Sequence, residues 1–114
     1  MSMENFIAYL DSKILDVKEE EKALIASDRK DEANFCKIKA NVYDICKTFY
    51  NVSVKQCDVE HVNEDYLKRV NHLLDVWKEA YEKVKAHNVA EKIVVEEVKI
   101  STIEEVLHVF LLNQ

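Results

Sequence analysis

The chain has 114 residues, 48% of them hydrophobic, and carries a formal net charge of −6 at pH 7. It contains neither glycine nor proline. Phosphate-binding loops and the dinucleotide-binding fingerprint are therefore excluded, because both need glycine where the backbone approaches the ligand. The acidic surface repels the phosphates of nucleic acids and of anionic membranes, so we expect neither as a partner.

This length and composition predict one domain, residues 1–114, in which helices are joined by capped breaks rather than by glycine turns. Residues 1–13 lack the basic segment of a signal peptide, and their apolar run is too short to span a membrane, so we expect a cytoplasmic protein. The cysteines have no Cys-x-x-Cys spacing, which predicts reduced thiols rather than a disulfide framework or a zinc site. They are Cys36, Cys46 and Cys57.

Apolar residues recur at alternating spacings of four and three through the N-terminal half, which is typical of helices packed on other helices. We predict a first helix from Ser2 to about Ala26 and a second from about Asp28 to Val54, with a tight turn between them. Ser27 or Asp28 is the expected cap of the second helix. The apolar pattern keeps one phase through the turn, so a single helix of about fifty residues, which would demand a dimer, is the alternative.

The second helix has a wide apolar stripe, which predicts burial from more than one side. Its predicted inward row is Phe35, Ile38, Val42, Ile45, Phe49 and Val52, with Cys36, Tyr43, Cys46 and Tyr50 widening it. A third helix should begin at an Asn63 cap and end near Asn88, whose side chain tolerates left-handed backbone. Its predicted apolar face is Leu67, Val70, Leu74, Trp77, Tyr81 and Val84.

The C-terminal quarter is rich in β-branched residues, but helical spacing continues where strand alternation fails. Ser101 with Glu104, or Thr102 with Glu105, has the spacing of a capping box that starts a last helical piece. The sequence therefore predicts an all-α fold, a compact up-and-down four-helix bundle with the last helix split near Ser101.

Three carboxylates, Glu21, Asp28 and Asp31, stand where the helical pattern calls for apolar side chains. Joined by Glu32 at a helix junction, they would hold Mg²⁺, which binds a few carboxylates together with waters and substrate phosphates. All-helical nucleotide pyrophosphatases use clustered Glu and Asp in this way, although this chain lacks their repeated Glu-x-x-Glu arrangement. The other interpretation is that the four residues surround a solvent-exposed turn and cap the second helix.

Glu105 and His108 have the Glu-x-x-His spacing of di-iron bundles, but the pattern occurs once where such sites need it twice. The cysteines and histidines show no nucleophile-and-base arrangement, and we expect no cofactor. The first interpretation of function is a non-enzymatic protein-interaction or assembly module. The alternative is a Mg²⁺-dependent hydrolase of the nucleotide pyrophosphatase type that uses the four carboxylates.

Self-association is expected from the apolar surface. The wide stripe of the second helix and the apolar residues 109–112 exceed what one neighbouring helix can cover. We therefore predict a homodimer with two-fold symmetry, the commonest closed assembly.

Overall fold

The computed structural model describes residues 3–114 and is helical almost throughout that range. Its helices are α1 (Met3–Ala26), α2 (Lys30–Gln56), α3 (Val62–His87) and α4 (Ala90–Leu112), and a 3₁₀ turn at Val59–His61 precedes α3. No strand occurs within residues 3–114, so the predicted all-α class is confirmed. Ser2, the expected first cap, lies outside the described residues.

The predicted tight turn between the first two helices is present, which rules out the single long helix. Asp28 has left-handed backbone with φ 59°. Its N–H donates to the Ile25 carbonyl at 3.1 Å, and the Arg29 N–H donates to the Leu24 carbonyl at 2.8 Å. This is the pair of hydrogen bonds of a Schellman motif, with aspartate at the position that glycine usually occupies.

The predicted cap of α2 is wrong. The residue before the first turn of α2 is Arg29, and it makes no side-chain capping hydrogen bond. Ser27 instead donates its hydroxyl backward to the Ala23 carbonyl at 3.1 Å. Both Ser27 and Asp28 therefore serve the end of α1 rather than the start of α2.

The turn between α3 and α4 also begins with a residue in the left-handed conformation. Asn88 ends α3 in the left-handed conformation, φ 53°, and its N–H donates to the Lys85 carbonyl at 3.0 Å, as predicted. The start of α3 differs from the prediction, because the helix begins at Val62 and not after an Asn63 cap. The 3₁₀ turn leads directly into the helix, so Asn63 is already within the first turn.

The predicted split of the last helix near Ser101 is also wrong, since α4 is continuous from Ala90 to Leu112. The Ser101 and Thr102 hydroxyls donate backward to the Val98 carbonyl, at 3.1 and 2.7 Å. A capping hydroxyl would instead accept from an N–H ahead of it. Backward bonding lets serine and threonine remain inside a helix, so the capping-box spacing had no structural effect here.

Each helix contributes one aromatic ring to a cluster at one end of the bundle. The rings belong to Phe6, Tyr50, Tyr66 and Phe110, and all six pairs have centroids 5.0 to 6.3 Å apart. These residues lie near the start of α1, the end of α2, the start of α3 and the end of α4, so consecutive helices run in opposite directions. The up-and-down arrangement is confirmed. We call this the aromatic end, and the end with the turns at 27–29 and 88–89 the turn end.

The central helix is α2, which packs against each of the other three helices. Its wide stripe is thus covered from several sides, as predicted. The centre of the buried arc is shifted, however: Cys36, Tyr43, Cys46 and Tyr50 are buried, whereas Phe35, Ile38, Ile45, Phe49 and Val52 are only partly buried. The neighbours of α2, and not its largest apolar residues, decide which side of the helix faces the core.

The bundle is wider than a tightly closed one. Its extents are 45 × 35 × 22 Å, and its radius of gyration is 15.4 Å, where about 13 Å is typical of a compact domain of this length. The aromatic end holds the residues buried most completely, including Phe6, Leu10, Tyr66 and Ile103. At the turn end the first half of α4 is only partly buried.

Candidate functional site

The four predicted metal-binding carboxylates lie near the first turn but are not assembled into a site. Glu21 is half-buried on α1, whereas Asp28, Asp31 and Glu32 are exposed. Within residues 3–114, no three carboxylate, histidine or cysteine side chains form a group that could hold a metal ion. The magnesium hypothesis therefore gains no ligand set from the fold and stays a prediction from sequence.

Two of these carboxylates instead have basic neighbours in the turn. Glu32 forms an ion pair with Arg29, and Asp28 Oδ1 lies 4.0 Å from Lys30 Nζ. All four side chains are well exposed, so these pairs contribute little to stability. Their geometry is that of a solvated turn.

Glu105 joins three helices, but it does so without His108, which is exposed. Glu105 Oε2 accepts a hydrogen bond from the Tyr43 hydroxyl at 2.8 Å, and Oε1 accepts one from the Tyr9 hydroxyl at 3.4 Å. Lys13 Nζ lies 3.2 Å from the same Oε1. The Glu105 carboxylate thus ties α4 to α1 and α2.

Burial, together with the Glu105 carboxylate, raises the pKa of both tyrosine hydroxyls above its ordinary value. At neutral pH Tyr9 and Tyr43 therefore remain protonated and act as hydrogen-bond donors. A general base or nucleophile would need the opposite shift. This cluster is a fixed contact between helices.

A second polar cluster joins α2 to α3 at the aromatic end. The buried Ser53 hydroxyl donates to Asp65 Oδ2 at 2.8 Å, and Arg69 Nε donates to the same oxygen at 2.7 Å. The Arg69 and Ser53 hydrogen bonds lower the pKa of Asp65. Two donors on one carboxylate oxygen stabilise its charged form, so the cluster is a charge-assisted tie between helix ends.

The three cysteines are free, as predicted, and none is activated. Burial raises the pKa of Cys46 to about 12, and it also raises the pKa of Cys36. The pKa of Cys57 is raised by partial burial and by the neighbouring Asp65. A reactive cysteine requires a lowered pKa, because the thiolate is the nucleophile.

The unexpected feature is the first half of α4, where an apolar residue is more exposed than charged ones. Val94 is 39% exposed, whereas the Glu96 and Lys99 side chains are only 16% and 26% exposed. Lys99 Nζ lies 3.3 Å from Glu96 Oε1 and 4.7 Å from the centroid of the Trp77 ring. An ion pair and a cation–π contact thus occupy the interface with α3.

The apolar face of α4 changes sides along the helix. Val94 lies nine residues, or about two and a half turns, before the fully buried Ile103, so the two side chains point in opposite directions. After Ser101 the apolar residues Ile103, Val106, Leu107 and Phe110 face the core. Before Ser101, Val94 faces outward, and we call this side the outer face of α4.

A groove lies on each side of the outer face. The α3–α4 groove has a volume of about 500 Å³ and is lined by Tyr81, Val94, Glu97, Val98, Ile100, Ser101 and Glu104. The α2–α4 groove, of about 390 Å³, is lined by Asp31, Asn34, Phe35, Ala90, Glu91, Val94 and Val95. Val94 forms the ridge between them, and the only charges that line either groove in the described structure are carboxylates.

Sequence reasoning did not identify this surface. The predicted split near Ser101 rests on the capping-box spacing, and it hides the change of apolar side along one continuous helix. Apolar residues on all sides of one continuous helix are the signal that could have revealed it, since a helix partly exposed at the surface needs apolar residues on one side only.

Comparisons of the chain with protein-family models, with curated proteins and with solved structures give no match. Within residues 3–114, no helix combines the length and the apolar character needed to cross a membrane. Functional inference therefore starts from the geometry alone.

Proposed function

We propose that the protein is a non-enzymatic protein-interaction module whose contact surface is the outer face of α4. The observation that carries this proposal is the exposure of Val94 on the same helix that partly buries Glu96 and Lys99. Folding alone favours the reverse, because burying apolar side chains is favourable and burying charged ones is costly. A partner that covers Val94 accounts for this placement.

The polar clusters elsewhere in the bundle support binding rather than catalysis. The carboxylates of Glu105 and Asp65 are engaged by hydroxyl and cationic donors from other helices or helix turns. The tyrosines and thiols have raised pKa values, as described above. These groups hold the helices in place, and none of them lines the grooves beside the outer face of α4.

We also propose the homodimer expected from the sequence, although only one of the two observations behind it remains. The stripe of α2 is covered within one chain, so it no longer argues for a second copy. Among the apolar residues 109–112, Leu111 and Leu112 are 55% and 71% exposed. A two-fold contact through these leucines would leave the grooves at the other end of α4 open.

Site-specific photocrosslinking in the native host tests the proposal. A benzophenone amino acid at position 94 should give a discrete protein adduct, whereas the same group at position 15, which replaces an exposed leucine of α1, should not. At position 112 the adduct should have twice the mass of the chain if the homodimer forms. Light scattering by the purified protein at micromolar concentration checks that dimer independently.

The absence of any adduct specific to positions 94 and 112 would count against an interaction module. Equal labelling from position 15 would mean that exposed apolar residues crosslink without selectivity. The far-ultraviolet circular dichroism of each labelled protein should match that of the wild type, which excludes misfolding as the cause of an adduct.

A further inference from the structure

We propose that the α3–α4 groove binds an amphipathic helix of another protein that carries Lys or Arg along one edge of its apolar stripe. This inference rests on the proposed function and specifies the chemistry of the partner. It is carried by the groove's combination of a mostly apolar lining and two carboxylates, Glu97 and Glu104, that form no ion pair in the described structure.

Most of the groove's lining is apolar. Val94 and Val98 are one turn apart on α4, Ile100 lies on the flank of α4 nearer α3, and Tyr81 closes the groove from α3. Apolar side chains at i, i+3 or i+4, and i+7 of a partner helix fit such a lining, as in other helix-in-groove complexes. The small side chain of Ser101 allows close approach.

Two carboxylates also line the groove. Glu97 and Glu104 are seven residues apart, which places them on one side of α4 at a separation of roughly 10 Å along the axis. Both are exposed, and neither takes part in an ion pair of the described structure. Some other helix glutamates are paired with lysines one turn away, such as Glu64 with Lys68 and Glu79 with Lys83.

Two lysines close in sequence to the lining residues are already engaged. Lys85 Nζ lies 5.0 Å from the centroid of the Tyr81 ring and 3.9 Å from Glu82 Oε1. Lys99 lies on the interface with α3, against Trp77 and Glu96. Glu97 and Glu104 thus present negative charge, unpaired in the described structure, among apolar lining residues.

Charge complementarity favours a basic partner helix over a second copy of this chain. A partner helix with Lys or Arg seven residues apart would place one cation near Glu97 and another near Glu104. A second copy bound through the same groove by two-fold symmetry would instead bring carboxylates against carboxylates, and like charges at an interface are unfavourable. The structure thus favours a basic partner over self-association at this groove.

Binding of a synthetic helix tests the inference directly. The probe is a peptide of about 18 residues, or five turns, with leucines at helical spacing along one face and lysines along its edges. One control peptide replaces every lysine with glutamate, and a second scrambles the order at constant composition. Affinities are measured by calorimetry at low and at high salt.

The protein variants separate specific docking from general attraction to an acidic protein. Val98→Ser should weaken binding of the lysine peptide about tenfold, as loss of an apolar anchor does. The double variant Glu97→Gln, Glu104→Gln should weaken it about fivefold and reduce its salt dependence. The matched controls Leu15→Ser and Glu19→Gln, on the exposed side of α1, should leave the affinity unchanged.

Several outcomes would overturn the inference. One is no binding of the lysine peptide, and another is equal binding of the glutamate or scrambled peptide. A third is an equal loss of affinity for the α1 controls, which would mean attraction by net charge alone. A wild-type dimer that Val98→Ser dissociates would assign the groove to a second copy. The proposed function fails separately, through the absence of adducts at positions 94 and 112.

Discussion

The two ends of the bundle are formed by the same four helices but differ in the kinds of side chain that pack between them. At the aromatic end every helix contributes a ring, and all six pairs of rings are in contact distance. At the turn end α4 places Glu96 and Lys99 toward α3 and leaves Val94 exposed. Apolar burial is thus more complete at the aromatic end, whereas the surface that we propose for binding lies at the turn end.

The polar contacts beside the connections at the two ends also differ. Beside the α2–α3 connection Ser53 and Arg69 both donate to one oxygen of Asp65, and the Ser53 side chain is fully buried. In the turn between α1 and α2 the ion pairs of Asp28 and Glu32 are exposed to solvent. A partly buried carboxylate with two donors restrains the helix ends that it joins, whereas exposed pairs are weakened by water and salt.

The largest expected effect comes from removing a ring at the aromatic end. Phe110→Ala should lower the free energy of unfolding by about 3 to 5 kcal/mol, because it loses buried area and leaves a cavity among close-packed rings. Phe35→Ala, at the turn end, should lower it by less than half as much, since Phe35 is only partly buried. Urea unfolding followed by circular dichroism measures both, and equal losses would remove the distinction between the two ends.

The next prediction concerns the pH dependence of the Asp65 cluster. Because the folded pKa of Asp65 is lowered, its carboxylate stabilises the fold above the unfolded pKa of about 3.9, and this contribution is lost as pH falls through the folded value. Wild type should therefore be more stable than Asp65→Asn at neutral pH, and the difference should shrink in acid.

The matched control is Asp28→Asn at the turn end, whose carboxylate is exposed. Its stability relative to wild type should not show the same convergence. Thermal unfolding across a series of pH values tests both variants. A constant difference between wild type and Asp65→Asn would mean that the hydrogen bonds from Ser53 and Arg69 do not stabilise the charged form.

The smallest expected effect is that of divalent cations at the turn end. Since Glu21, Asp28, Asp31 and Glu32 are not assembled into a ligand group, millimolar Mg²⁺ or Mn²⁺ should leave the melting temperature unchanged. A bound ion at a hundredfold excess over its Kd would stabilise the fold by about 2.7 kcal/mol, which a melting experiment detects. A cation-dependent rise that Asp28→Asn abolishes would restore the magnesium hydrolase hypothesis.

Much of the fold could be predicted from the sequence, whereas the candidate site could not. Helical spacing placed the four helices within a few residues, and Asn88 ends α3 in left-handed conformation as predicted. Asp28, predicted to cap α2, ends α1 in left-handed conformation instead. The candidate surface at Val94, Glu97 and Glu104 was missed, because it depends on which side chains of α4 the neighbouring helices leave uncovered. Apolar residues on all sides of α4 indicate that some of them are exposed, but their spacing does not show which ones.

The sequence by itself determined the helices, their ends at the two hairpin turns and the all-α class, because these depend on contacts within about four residues along the chain. Tertiary structure alone decided which side of α2 and α4 is buried. Neighbouring helices supply the rings that surround Tyr66 and the hydroxyls that bind Glu105, from positions far away in the chain. The face that each helix turns to the core is set by such distant side chains, and so is the face left for a partner.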